Sequence, residues 1–207
     1  NKAVLYVNVG DYKNVWDELI RDIPQMRELA TEHFDNWKDT KAFATKALSA
    51  SQINNSDVVT DNNRDDNSKN ITADNSSEDT SDNITGIHGF YHKNIFEAVY
   101  CTNLLMRSAD ALVTKPSELA FYPVPKLFIK RVGGHEQWGA VHSAEIGDGT
   151  LECRDIPHTL QMIKLFMEDD TYIIDMCKNI KKNKQMGIYN GAYEAVKLAV
   201  NMKKSDI

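Results

Sequence analysis

Short runs of apolar and β-forming residues alternate with stretches of helical spacing along most of this chain. Residues 3–9, AVLYVNV, form the first run, and their composition predicts a buried strand. Helical spacing follows in residues 14–48, where Trp16, Leu19 and Ile23 recur at intervals of three and four. Strands that alternate with helices favour βαβ units. The sequence therefore predicts an α/β fold, a Rossmann-like parallel sheet with helices on both faces.

The same alternation continues to the end of the chain. Further strands are predicted in residues 84–90, 110–114 and 126–132, and further helices in residues 94–109, 117–122, 137–146, 155–182 and 188–203, while Pro24 ends the first helix and a second one runs to about Leu48. Ligands of such sheets bind at the carboxyl ends of the strands. We therefore expect the polar turns that follow strands to meet at one edge; they lie at Gly10, His88, Lys115 and Gly133.

Residues 50–83 break this pattern. They are rich in Asn, Asp and Ser and hold eight acidic and two basic residues, a net charge of −6. Such a segment buries too little apolar surface to offset its ordering entropy, so we predict a disordered insertion within one domain that spans residues 1–207. The rest of the chain has 22 acidic and 22 basic residues. That balance leaves no basic footprint for a nucleic-acid partner.

Cysteine use and hydropathy indicate the compartment. The three cysteines, Cys101, Cys153 and Cys177, have no CxxC spacing, which disfavours structural zinc and disulfides and favours a reducing, cytoplasmic setting. We find no apolar run long enough to span a membrane and no signal peptide. The chain begins almost directly on a strand and without an initiator Met, which is compatible with a fragment of a longer protein.

A polar turn after the strand at 110–114 is the first candidate binding element. Pro116 suits the first turn of a helix because it has no N–H to satisfy. Ser117 is then the expected cap, and Glu118 lies in the first turn, where a helix start can hold an anion or the oxygens of a ribose. The alternative is that Glu118 only complements the helix dipole.

A second polar turn follows the strand at 126–132. Its double glycine permits a backbone to approach a ligand closely, and three polar side chains follow; the residues are Gly133, Gly134, His135, Glu136 and Gln137. Trp138 and Ala140 are expected to pack into the protein. The alternative is a plain turn with solvated His and Glu. HExxH is absent, which excludes a metalloprotease site, and His88 with His92 lacks a third ligand, so no metal is expected.

In order and spacing, these features resemble the carboxyl-terminal, donor-binding half of GT-B glycosyltransferases of the MurG and diacylglycerol-glucosyltransferase type. The resemblance covers residues 84–150. It rests on SADALVTKP (108–116), SELAFYPVPKLFI (117–129) and GGHEQWGA (133–140), with Gly89-Phe90 upstream. The chain departs from the family in its short turn at 114–116, in its first strand's end around Gly10, in His-Glu for a Gln-Gln pair, and in Gly139 for Asn.

The resemblance implies a nucleotide sugar, expected to be UDP-linked, as the substrate and no cofactor. Glu118 would bind the ribose hydroxyls, with Ser117 and Lys115 beside it and Lys115 near the phosphate charge. The glycine turn would bind the diphosphate and sugar, and His135 and Glu136 would contact the sugar. Such enzymes need no metal.

The family also implies a missing half. GT-B enzymes place the acceptor, and often the catalytic base, in an amino-terminal domain, so an acceptor-binding domain or partner chain is expected and no catalytic residue is assignable. Two alternatives stay open: a non-catalytic α/β module that binds a nucleotide or a protein, and a sugar-phosphate epimerase. The lysines of residues 178–184 complement a helix C-terminus; a peripheral membrane contact is their alternative role.

Overall fold

A computed structural model of the chain describes residues 3–56 and 84–205. It divides into two compact units, Asn1–Ser108 and Ala109–Ile207. The predicted α/β fold with parallel strands is confirmed, with one parallel sheet in each unit. That both units form a single nucleotide-sugar-binding domain stays a prediction.

The first unit holds a three-stranded parallel sheet with β3 at its centre, in the order β1-β3-β2. Its elements are β1 (Leu5–Asn8), α1 (Lys13–Asp22), α2 (Pro24–Leu29), β2 (Ala30–Phe34), α3 (Trp37–Ser56), β3 (Ile87–Tyr91) and α4 (Ile95–Arg107). Because α3 extends to Ser56, residues 50–56 of the predicted disordered insertion are helical instead. Residues 57–83 of that insertion lie outside the described residues.

Strand β2 was predicted as helix, and that prediction is wrong. Its residues are largely polar, but Glu32 and His33 find tertiary partners. Glu32 accepts a hydrogen bond from Trp16 Nε1 at 2.9 Å, and the ring of His33 stacks on Phe90 with centroids 4.8 Å apart. Pairing with β3 thus overrides the local helical pattern, as is common for strands.

The core of the first unit is aromatic. Phe43, Phe90 and Leu105 are buried together, with Tyr6 packed against them. On the other face of β3, the buried ring of Trp16 occupies the space beside Gly89. A β-carbon added at Gly89 would lie 2.2 Å from Trp16 Cη2, so this glycine is required by the close approach of the indole.

Two buried histidines, His88 and His92, and the half-buried His33 lie in or beside the same strand. His88 lies within β3, not in a polar turn as predicted. Its Nε2 donates to the carbonyl of Thr85 at 3.1 Å, which leaves Nδ1 to accept from His33 Nε2 at 3.1 Å. His92 is fully buried, with Nε2 3.1 Å from Thr40 Oγ1. These contacts suit neutral imidazoles.

We expect the first unit to lose stability on acidification. Burial lowers the pKa of His33, His88 and His92 below the ordinary value of 6.5. The unfolded chain therefore binds protons near that pH before the folded one does, so this stability is complete above it and declines as pH falls below it. Each histidine contributes at most about 1.4 kcal/mol per pH unit.

Urea unfolding between about pH 7.5 and about pH 5.5 measures this slope. His92→Gln should make the slope shallower, because one buried proton acceptor is lost. His135→Gln supplies the control, because His135 belongs to the second unit and its replacement leaves the three histidines of the first unit in place. Stability that is flat or rising on acidification would contradict the prediction.

The second unit is mainly helical around a two-stranded parallel sheet. Its elements are β4 (Leu112–Thr114), a 3-10 helix (Glu118–Phe121), β5 (Lys126–Phe128), a 3-10 helix (Gly134–Glu136), α5 (Gln137–Ile146), α6 (Ile156–Glu168), α7 (Thr171–Gln185), a 3-10 helix (Ile188–Asn190) and α8 (Gly191–Ser205). Strand β5 is shorter than predicted. No helix within the described ranges combines the length and apolarity required to cross a bilayer.

A buried ion pair lies under this sheet. Lys126 Nζ is 2.8 Å from Asp148 Oδ2, and both side chains are fully buried. The ammonium also donates to the carbonyls of Tyr122 at 2.7 Å and Val124 at 3.0 Å. Tyr189 donates its hydroxyl to the same Asp148 oxygen at 2.8 Å. The pair therefore ties β5, the turn after α5 and the segment before α8 together.

Candidate functional site

A cleft of about 470 Å³ opens in the second unit beside the start of α5. It lies between the turn that follows β4 and the turn that follows β5. Its lining residues are Pro116, Ser117, Glu118, Phe121, His135, Glu136, Trp138, Gly139 and His142.

Strand pairing brings the two turns together. β4 and β5 are parallel, with Thr114 opposite Phe128, and Ile129 donates its N–H to the carbonyl of Thr114 at 2.9 Å. The carboxyl ends of the two strands therefore lie side by side, and the polar residues after each strand face a common space. The other two polar turns expected at this edge, at Gly10 and His88, belong to the first unit.

Gly139 sets how closely α5 approaches the other wall. A β-carbon at this position would lie 2.7 Å from the carbonyl oxygen of Pro116 and 3.1 Å from Ala120 Cβ. One turn later, Ser143 donates its hydroxyl to the carbonyl of Ala120 at 3.1 Å. Position 139 therefore holds a residue without a side chain, because the backbone of the opposite wall fills that space.

Glu136 joins the two turns. Its Oε1 accepts from Lys115 Nζ at 2.6 Å, and its Oε2 accepts from the N–H groups of Val132 at 2.8 Å and Gly133 at 3.0 Å. The bond from Lys115, with these two N–H donors, lowers the pKa of Glu136 to about 2. The carboxylate is buried and ionised, and both of its oxygens already bind protein groups. The expected contact of Glu136 with a sugar stays a prediction.

Glu118 presents a different carboxylate. It is exposed at the cleft, and its own N–H, the Ser117 hydroxyl and nearby Lys115 lower its pKa. Ser117 was predicted to cap a helix, but it makes no side-chain cap bond, and the element that follows is a four-residue 3-10 helix. The hydroxyl instead supports the Glu118 carboxylate, which stays ionised and open to a ligand's hydroxyl groups.

Aromatic rings were missed as part of this site. Trp138 was predicted to pack into the protein, yet it is 67% exposed and lines the cleft; Ala140 is buried as predicted. Phe121 is 60% exposed, and its ring centroid lies 5.6 Å from that of His142. The i, i+4 spacing of Trp138 and His142 was the available signal that both share one helix face.

The double glycine leaves the start of α5 uncovered. A β-carbon at Gly134 would meet nothing within 4 Å, and one at Gly133 would meet the ring of His135 at 2.7 Å. Exposed His135 and Gln137, the first residue of α5, stand at this end. The 3-10 helix before α5 already pairs part of this end, because Glu136 N–H donates to the carbonyl of Gly133 at 3.1 Å and Gln137 N–H donates to that of His135. The positive end of the α5 dipole still lies at this edge of the cleft.

The residues that the structure describes show no group of three or more His, Cys, Asp or Glu side chains able to hold a metal ion. Of the residues predicted to bind the donor, eight lie together around this cleft in the second unit: Lys115, Ser117, Glu118, Gly133, Gly134, His135, Glu136 and Gln137. The ninth, Gly10, belongs to the first unit. In the first unit, the carbonyl of Gly10 accepts from His92 N–H at 2.9 Å.

Comparison with known proteins gives one match. No curated protein matches the chain, and no solved structure matches it. A family model described as a domain of unknown function, DUF6938, matches residues 1–75 and residues 50–200. The two matched segments together cover nearly the whole sequence, and the chain therefore belongs to the DUF6938 family.

Proposed function

We propose that the cleft binds a nucleotide sugar, expected to be UDP-linked, and that the chain is the donor-binding half of a cytoplasmic GT-B-type glycosyltransferase. One observation supports this most directly. Two polar turns from separate stretches, which the resemblance pairs as ribose-binding and diphosphate-binding elements, line the same cleft. One turn carries an exposed, ionised carboxylate and the other leads into a helix start.

Each wall has a role in this proposal. Glu118 accepts hydrogen bonds from the two ribose hydroxyls, which a carboxylate does well. The positive end of the α5 dipole faces the diphosphate, and exposed His135 contacts the sugar hydroxyls. Phe121 and Trp138 offer ring faces for a base or a sugar. Glu136 positions the second turn by holding Val132 and Gly133.

The reaction would be a displacement at the anomeric carbon. An acceptor oxygen forms the new bond to that carbon while the bond from the carbon to the diphosphate oxygen breaks, and the nucleoside diphosphate leaves with the electron pair. The α5 start stabilises the charge that grows on the departing diphosphate. The base that takes the acceptor's proton would come from an acceptor-binding domain or a partner chain.

A non-catalytic nucleotide-binding module is the second candidate. Lys115 is the basic side chain nearest to Glu118, but its ammonium is paired with Glu136 at 2.6 Å. That pairing weakens its attraction for a diphosphate and favours a ligand of lower charge. Detectable binding of UDP together with no sugar hydrolysis or transfer, even in the presence of the acceptor half, would favour the module.

Glu118→Ala is expected to weaken UDP or UDP-sugar binding by about tenfold or more, because a charged acceptor of ribose hydroxyls is lost. Calorimetric titration with UDP, a UDP-sugar, GDP and ADP measures the change, and two-dimensional amide NMR locates it. Glu145→Ala is a matched control, since Glu145 is an exposed carboxylate on α5 outside the cleft lining.

Equal affinity in wild type and Glu118→Ala would remove the ribose role from this residue. Amide shifts at residues 115–120 and 133–140 with UDP alone would support the assignment. No shift with any of the nucleotides at about millimolar concentration, a level that still detects the weakest specific complexes, would overturn donor binding by this chain alone.

A further inference from the structure

Helix α8 presents an apolar surface to solvent. All of its described side chains are exposed, and five large apolar ones are between 49% and 68% exposed: Tyr193, Val196, Leu198, Val200 and Met202. A fifteen-residue helix gains little stability without packing of its apolar face. Burial of this face against a binding partner would therefore stabilise the helix.

The apolar surface extends around most of the helix. Between residues 191 and 202, the part of the helix whose side chains the structure describes, the polar residues are Glu194, Lys197 and Asn201, which fall within an arc of about 60° at 3.6 residues per turn. Lys197 Nζ lies 3.5 Å from Glu194 Oε2, so two of them are neighbours across one turn. Over residues 191–202, apolar residues cover more than half of the circumference, which is wider than the stripe that a helix buries against one other helix.

The turn before α8 is anchored to the core of the second unit by a polar contact. Gly187 takes a left-handed conformation at φ 77 and ends α7, and Tyr189 then donates to the buried Asp148 at 2.8 Å. Met186 and Ile188, which flank this turn, are exposed as well. The apolar face of α8 therefore continues onto the adjoining turn.

The same region is strongly basic in an otherwise acidic chain. Residues 178–205 contain seven lysines and one glutamate, a net charge of +6, whereas the whole chain has −6. Lys181, Lys182 and Lys184 are exposed at the end of α7, just before α8, and Lys203 and Lys204 stand at its other end in the sequence. Exposed basic groups thus lie beside the beginning of the apolar face.

We propose that α8 and the turn before it form a docking surface for an anionic lipid bilayer. Amphipathic helices of this type lie in the interface, with the apolar face among the acyl chains and lysines at the headgroups. A fifteen-residue helix is about 22 Å long, shorter than the hydrocarbon core, so it lies along the surface. This surface is independent of the cleft beside α5 and of the function proposed for it.

The charge favours a bilayer over a second copy of the chain. A twofold dimer would bring the same basic surface of both copies together, and like charges repel. An anionic bilayer complements the lysines and covers a wide apolar arc at once. The breadth of the apolar face and the exposed lysines at the end of α7 both favour an anionic bilayer as the partner of this surface.

Flotation of the full chain with vesicles tests the proposal. Vesicles of phosphatidylcholine with phosphatidylglycerol should bind the protein, and vesicles of phosphatidylcholine alone should bind it much more weakly. Leu198→Glu should reduce binding by about tenfold or more, because a charge enters the buried face. Leu160→Glu is the matched control, because Leu160 on α6 is 60% exposed and Leu198 is 62% exposed. Both variants add the same negative charge at a similarly exposed leucine. The control should change vesicle binding by about twofold at most.

Two further measurements sharpen the result. Binding should weaken as NaCl rises from about 50 to about 500 mM, and Lys181→Gln with Lys182→Gln and Lys184→Gln should make that dependence shallower. Circular dichroism verifies that each variant keeps its helix content. No binding to anionic vesicles, or an equal loss with Leu160→Glu, would overturn the proposal. So would a dimer that Leu198→Glu dissociates and that binds no vesicles, because a second copy would then cover α8.

Discussion

Replacing Lys126 by Met is expected to lower the free energy of unfolding of the second unit by about 3–5 kcal/mol. The reason is the group left behind. Asp148 is fully buried and 2.8 Å from the ammonium, and one of its oxygens, Oδ1, has no hydrogen-bond partner among the residues that the structure describes. Without Lys126, the buried carboxylate keeps Tyr189 as its one side-chain donor within the described ranges. Burial itself lowers the pKa of Lys126, although the bond to Asp148 opposes this.

Denaturant unfolding, with hydrogen exchange to separate the two units, measures the loss. The double variant Lys126→Met with Asp148→Asn should recover much of it, because both charges are gone and the new amide oxygen still accepts from Tyr189. Lys164→Met is the control: Lys164 pairs with Glu168 at 3.8 Å in solvent, and such a pair contributes about 0–1 kcal/mol. A Lys126→Met protein as stable as wild type would show that the pair does not hold this unit together.

Trp16→Ala is expected to destabilise the first unit by about 3–5 kcal/mol, since a large buried ring is removed. The opposite change in the same space is Gly89→Ala, which places a methyl group 2.2 Å from Trp16 Cη2. That overlap should cost about 1–3 kcal/mol or more. The combined variant should lose less than the sum of the two, because the methyl group then occupies part of the space that the ring leaves.

A double-mutant cycle from urea unfolding curves measures this coupling. Gly134→Ala supplies the control, because a β-carbon there meets nothing within 4 Å and stability should change little. Additive losses for Trp16→Ala and Gly89→Ala would mean that the two positions do not share a space, which the geometry of β3 contradicts.

Local sequence signals were sufficient for some elements. Helix α5 was predicted over residues 137–146 and is observed over Gln137–Ile146, because Gly147 ends it in a left-handed conformation at φ 73 and the double glycine precedes it. Strands β4 and β5 were found from their apolar runs. The rule for parallel strands predicted that the polar turns after β4 and β5 lie close together. The salt bridge between Lys115 and Glu136 confirms this contact, with 2.6 Å between Nζ and Oε1.

Other features depend on partners far away in the sequence. Thr31, Glu32 and His33 of β2 have no strand pattern of their own, and the strand exists because β3 pairs with it. The burial of Lys126 depends on Asp148, which local patterns do not connect to it. Trp138 is exposed because Gly139 and Ser143 face the opposite wall and turn the indole outward. Each of these outcomes is set by tertiary packing.

The bridge between Lys115 and Glu136 has a consequence for the thermodynamics of ligand binding. It holds the two cleft turns in one arrangement before any ligand arrives, with three hydrogen bonds to a single buried carboxylate. A ligand that enters therefore freezes few further backbone rotations, and little of its contact energy is lost to ordering the protein. The binding free energy at this cleft should then reflect the direct contacts between ligand and protein. Even weakly bound ligands that differ by a single hydroxyl group should therefore differ in affinity.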